Sequence, residues 1–185
     1  MSVCDKEQIF LFPGERLVET ICHKGLRFEV VERAESVWCG TLGYAPNLTE
    51  EPDIPGLLEK YQSLVSVEKR GLVSPDWSGC ISVGYWPGGT SPRGIMFMQQ
   101  VDTGEQDGRH DVLKTPASLY IRLHYDSAEV PRRLFGRDQC EVFELYGAIH
   151  EAAEENGYTF RPTEEIEIEY YGSKSCYAYC AVEKK

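Results

Sequence analysis

The stretch Val112-Leu-Lys-Thr-Pro-Ala-Ser-Leu-Tyr-Ile-Arg-Leu-His-Tyr125 decides how this chain reads. Leu119, Ile121 and Leu123 alternate with Tyr120, Arg122 and His124, which is the period of a strand whose two faces meet different surroundings. A helix follows. Asp138 with Glu141 three residues on fits a capping box, Val142, Tyr146, Ile149 and Ala153 recur as an apolar stripe, and Asn156-Gly157 closes the C-terminus. Glu165-Ile-Glu-Ile-Glu-Tyr-Tyr171 and Cys176-Tyr-Ala-Tyr-Cys-Ala-Val182 then read as two strands joined by the turn at Gly172-Ser-Lys.

The same order occurs upstream. Residues Phe28 to Tyr44 are rich in β-branched and aromatic types and read as one long strand broken near Ala34. Asp53 as N-cap, Pro55 in the first turn and the stripe Leu57, Leu58, Tyr61, Leu64, Val65 predict a helix ending near Lys69-Arg-Gly71. Gly79 to Trp86 and Gly94 to Val101 read as two strands around the loop-forming segment Pro87 to Pro92. The expectation is an α+β fold: a tandem strand-helix-strand-strand repeat with pseudo-two-fold symmetry, whose antiparallel sheets and two main helices surround a central ligand cleft. Its half-repeats are 28–102 and 112–184 of a single domain at 28–184, with residues 1–27 packed on it as an N-terminal extension.

Composition limits the function classes. The 185 residues carry a formal charge of -11, which repels phosphate backbones and anionic lipid surfaces, so neither nucleic acid nor membrane is expected as a direct partner. No apolar run approaches a membrane span, the start is too polar for a secretory segment, and a cytoplasmic protein is expected. Seven cysteines without Cys-x-x-Cys spacing read as mostly reduced thiols. Cys176 and Cys180 lie roughly 13 Å apart along a straight strand, too far for one zinc, and no metal or cofactor is expected.

Alternation puts Glu165, Glu167, Glu169 and Tyr171 on one face of a strand. A solvated sheet face accounts for Glu165 and Glu167. The aromatic residues Trp38, Trp77, Tyr85, Trp86, Phe97, Tyr120, Tyr146 and Tyr171 suit either core filling or a wall that stacks on a flat guest. Of these, Tyr85, Trp86, Tyr120, Tyr171, Trp38, Phe97 and Tyr146 are the ligand-binding candidates. His124 and His150 read as structural donors, Glu151, Glu154 and Glu155 as solvation, and Arg132, Arg133 and Arg137 as charge balance in a loop.

The second half, with Lys114 to Tyr125, Leu145-Tyr146, Asn156-Gly-Tyr158 and Ile168-Glu-Tyr-Tyr171, resembles the GyrI-like effector-binding family. The match covers residues 28 to 184 in element order and is confined to the second half in residues. The resemblance implies a fold whose concave centre binds drug-like compounds, often as the sensing half of MerR-type or AraC-type transcription regulators. It assigns the pocket glutamate to Glu169, because Glu169-x-Tyr171 matches the family motif. The segment Pro87 to Pro92 and the basic stretch Pro131 to Arg137 have no place in that pattern.

The leading expectation is a stand-alone multidrug-type module that senses or sequesters a hydrophobic, aromatic, cationic small molecule, with Glu169 as counter-ion. No helix-turn-helix pattern is found, so transcription control would need a separate regulator subunit. Two alternatives stay open. One is a hydrolase of electrophilic, cyclopropanoid-type toxins using Glu169 and Tyr171; the other is a protein inhibitor of a target enzyme such as gyrase. There is no Ser-His-Asp pattern, phosphate loop or nucleophile elbow.

Overall fold

The computed structural model describes residues 9–84, 91–125, 129–161, 166–173 and 175–185. The alternating stretch forms β6 (Asp111–Thr115) and β7 (Ser118–Tyr125), split at Pro116, which has no N–H to give to a ladder. The long strand expected at 28–44 is likewise two, β2 (Leu26–Arg33) and β3 (Ser36–Tyr44), broken where expected, at Ala34. Before them lies β1 (Glu15–His23), antiparallel to β2. The expected boundary at residue 27 therefore falls next to the β1–β2 turn, and β1 is a strand of the main sheet.

Helix α1 (Ile54–Ser63) starts as its sequence predicts, with the Asp53 carboxylate accepting from Gly56 N–H at 3.1 Å. It stops short of the expected end at 69–71, because residues 64–67 go into turns. Then come β4 (Ser78–Val83) and β5 (Gly94–Val101). The basic stretch expected as loop contains a short helix, α2 (Glu129–Phe135), which buries Val130 and Pro131. Its arginines do balance local charge: Arg132 pairs with Asp138, Arg133 with Glu129 and Arg137 with Glu144. Asp138 is thus engaged outside the helix that it was expected to cap. Helix α3 (Val142–Glu155) is instead capped at Glu141, whose N–H donates to Glu144 Oε2 at 2.8 Å. Strands β8 (Tyr158–Phe160), β9 (Glu167–Tyr171) and β10 (Cys176–Lys184) finish the chain.

The ten strands of the described residues join one sheet in the order β1-β2-β7-β10-β9-β4-β5-β3-β6, with β8 beside β10 and each of these ladders antiparallel. The molecule is an α+β protein dominated by antiparallel sheet. Helix α3 packs on β7, β8 and β10, and α1 on β3 and β5. On the α3 side, Ile121, Leu123, Ala178, Cys180 and Val182 meet Leu145, Ile149 and Ala152 in one apolar core. The opposite face of the sheet carries a second core of Trp38, Tyr120, Tyr170, Tyr179, Met96 and Met98, to which Phe12 is added.

The second core encloses ions. Arg122 is fully buried and donates to Glu29 Oε2 at 2.8 Å, Glu15 Oε2 at 2.8 Å and the Tyr179 hydroxyl at 2.9 Å. Arg33 donates to Gln100 Oε1 at 3.0 Å and to the Tyr170 hydroxyl, and lies 4.7 Å from the centre of the Trp38 ring. Burial alone would lower the pKa of Arg122, but Tyr179, Glu15 and Glu29 raise it by more, and the guanidinium stays charged.

Candidate functional site

The strands β4 and β9 run side by side in the middle of the sheet, and direct partners across an antiparallel ladder share a face. The register sets Cys80 opposite Glu169 and Ser82 opposite Glu167, and the β4–β5 register adds Phe97 beside Cys80 and Ile95 beside Ser82. These side chains form the floor of a cavity of about 480 Å³. Its walls come from the two long helices: Ile54, Leu58 and Tyr61 from α1, and Phe143 and Tyr146 from α3. The volume lies within the range of small-molecule sites, roughly 300–1,000 Å³.

No residue of α1 is buried, although its apolar stripe reads from sequence as core packing. Leu58 and Tyr61 face the cavity instead. Phe143 is 67% exposed, a large ring held at the rim.

Glu169 stands on this floor, half-buried, between two phenols. The Tyr146 hydroxyl donates to Oε1 at 3.1 Å and the Tyr171 hydroxyl donates to Oε2. Burial and then the Glu169 charge push both phenols above their ordinary pKa, so both keep their protons and act as donors. Tyr171 stays 40% exposed at the cavity mouth. Glu167 lies two residues away on the same face. Its pKa is raised by burial, lowered by Arg93 and raised again by Glu169. Arg93 is itself held by Glu51 Oε2 at 2.9 Å and Ser82 Oγ at 3.0 Å. Cys80 is a protonated thiol, since burial and then Glu169 push its pKa up to about 12; it is a poor nucleophile at neutral pH.

The structure therefore brings Glu169, Tyr171, Tyr146 and Phe97 together. Trp38 and Tyr120 are elsewhere: both are fully buried in the second core, on the opposite face, and the Trp38 indole donates to Thr115 Oγ1 at 3.0 Å. Alternation decides this, since Tyr120 shares its face with Arg122 rather than with Ile121. Tyr85 and Trp86 lie outside the described residues, as does Glu165. Glu167, expected on a solvated face, lines the cavity, because the two helices flank β4 and β9 and leave this part of the sheet under a partly enclosed space. His124 stacks on Tyr177 with centroids 4.5 Å apart, away from the cavity. Among the described residues, the cysteines at positions 39, 80, 140, 176 and 180 are outside any disulfide, in line with mostly reduced thiols, while Cys22 is in a disulfide. Among the described residues no helix is long and apolar enough to cross a membrane.

No family model and no curated protein sequence matches the chain. Solved structures do. The C-terminal domain of EcmrR superposes with a TM-score of 0.55 at 13% identity, covering 86% of this chain and 99% of that one. A protein of Staphylococcus aureus MU50 described as acting in bacterial transcription regulation gives 0.54 at 14% identity, covering 85% and 99%. SAV2435, in a structure with bound tetraphenylphosphonium, gives 0.53 at 15% identity, covering 84% and 93%. At such identities the likeness shows the fold alone. That fold is consistent with the GyrI-like effector-binding architecture implied by the sequence resemblance.

Proposed function

We propose that the chain is an effector-binding module whose cavity takes a hydrophobic, aromatic cation, with Glu169 as counter-ion, and that it acts in sensing or sequestration. The observation that carries this reading is the pair of phenol donors on Glu169 at the base of a cavity walled mainly by apolar and aromatic side chains. Among the described residues, two carboxylates and one arginine line the space, and the arginine is already paired with Glu51. A neutral guest would leave the carboxylates facing apolar surface, whereas a cation compensates them and gains about 0.5–2 kcal/mol per well-placed ring. SAV2435, which shares the fold, holds a cation bearing four phenyl groups. We further read the fold as two half-repeats meeting at β4 and β9. Past β1, the strand order read from both ends sets β2 against β6, β7 against β3, β10 against β5 and β9 against β4, which supports that reading.

The test is calorimetric titration of the whole chain with tetraphenylphosphonium and with the neutral triphenylphosphine oxide, followed by mass analysis of the recovered ligand. Saturable binding of the cation is expected, and Glu169→Gln should weaken it roughly ten-fold, about 1.4 kcal/mol, while leaving the neutral compound unaffected. Equal losses for both ligands, or no binding of either, would refute the counter-ion role. Chemical conversion of an electrophilic ligand, lost in Glu169→Gln, would favour the hydrolase.

A further inference from the structure

Behind the main cavity, Glu167 also borders a second and much smaller one. His150 of α3, Glu167 of β9 and Cys180 of β10 each present a ligand atom there, and these atoms all lie within 4.8 Å of one another. The three positions are fixed by the fold. Glu167 and Cys180 are direct partners across the β9–β10 ladder, so their side chains leave the sheet on the same face, and α3 packs over β10 on that face. His150 follows the fully buried Ile149, and its ring lies 3.9 Å from that of Phe160. The space between them is about 20 Å³, room for a single ion or water and for no organic group.

We propose that His150, Glu167 and Cys180 bind one divalent cation of the zinc class, with three protein ligands and a fourth position left to water. The donor types select the ion. A thiolate, an imidazole and a carboxylate together suit zinc, whereas calcium and magnesium take oxygen ligands. Bonds of roughly 2.0–2.3 Å put tetrahedral ligand atoms about 3.5 Å apart, so closing from 4.8 Å needs side-chain rotations on the order of 1 Å and no movement of the sheet. Two of the ligands bring negative charge on binding, when Cys180 gives up its proton. Among the described residues on this cavity, Arg161 carries a positive charge and directs Nη1 to Ser118 Oγ at 2.8 Å. The spacing of Cys176 and Cys180, which argues against zinc from sequence alone, does not bear on this site, because only Cys180 takes part and its partners come from other elements.

The site shares Glu167 with the main cavity but does not rest on the organic-cation reading, and it is tested without an organic ligand. Cobalt(II) is titrated into the reduced full-length chain while the thiolate-to-cobalt charge-transfer band is followed, with competition by zinc(II). A band that saturates at one equivalent and is displaced by zinc is expected. Cys180→Ser should abolish the band, and His150→Gln and Glu167→Gln should each weaken cobalt binding roughly ten-fold or more. Cys140→Ser should leave it unchanged. Because Cys180 is buried, circular dichroism must show Cys180→Ser folded; His150→Gln, on a half-buried helix position, gives a second arm that does not depend on that outcome. A wild-type chain without the band, or a band that survives both Cys180→Ser and His150→Gln, would overturn the proposal.

Discussion

Two glutamates on one face of β9 meet different surroundings, and the difference is a matter of partners. Glu169 accepts from two phenols, one on each oxygen, whereas the pKa of Glu167 is raised chiefly by burial. A carboxyl group whose folded pKa lies above its ordinary 4.5 binds protons more tightly in the native state than in the unfolded chain. Its contribution to stability is therefore fully present below pH 4.5 and is lost as pH rises through the raised folded value. A cationic guest favours the ionised form, so its affinity should move the other way and tighten over the same interval. Titrating tetraphenylphosphonium from pH 4.5 upward should show that rise in the wild type and a flatter profile in Glu167→Gln. Affinity that falls with pH in the wild type would contradict it. The place of Glu169 on the cavity is legible in the sequence through the family resemblance at Glu169-x-Tyr171, but that of Glu167 is not, since a strand of alternating glutamates looks the same whether its acidic face meets water or a cavity.

At the level of elements, the site depends on β4 lying close against β9. Gly79 permits this: a Cβ at that position would stand 2.3 Å from the Glu169 carbonyl oxygen and 2.9 Å from Met98 Cε. The first contact is with backbone, so Gly79→Ala must push the strands apart at Glu169 itself, the proposed counter-ion. A loss of about 1–3 kcal/mol in denaturant unfolding is expected, with weaker binding of tetraphenylphosphonium in calorimetry. Unchanged stability would show that the ladder yields there without cost. Most elements are readable locally, since alternation marks the strands and Asp53 and Pro55 mark the start of α1. Missing from that reading are α2, with Pro131 inside it, and the orientation of α1. An apolar stripe says that a helix has a face to hide; it does not say that the face overlies a cavity instead of a core.

Over the whole molecule, the two sheet faces divide the work: one carries the helices and the cavity, and the other shuts ionic groups away from water. The second arrangement joins distant parts of the chain, with Glu15 from β1, Glu29 from β2, Arg122 from β7 and Tyr179 from β10 around one guanidinium. Only the alternation of Arg122 with leucine and isoleucine hints at it, because charge complementarity across 93 and 107 residues has no local signature. Removing one partner of such a group is far more damaging than its net contribution suggests, since the charges left behind stay buried without compensation. In Arg122→Met the side chain keeps its length and apolar contacts, while Glu15 and Glu29, with side chains 0% and 5% exposed, lose their main cation. A loss of about 3–5 kcal/mol is expected in denaturant unfolding. The further variant with Glu15→Gln and Glu29→Gln added should recover part of that loss, because no unpaired carboxylate then remains around Met at 122, although Arg33 loses its Glu15 partner at 3.7 Å. The cavity, on the other face of the sheet, should still bind tetraphenylphosphonium in this triple variant. Recovery of stability without recovery of binding would mean that the ionic core also sets the register of β9 and β10, on which Glu169 depends.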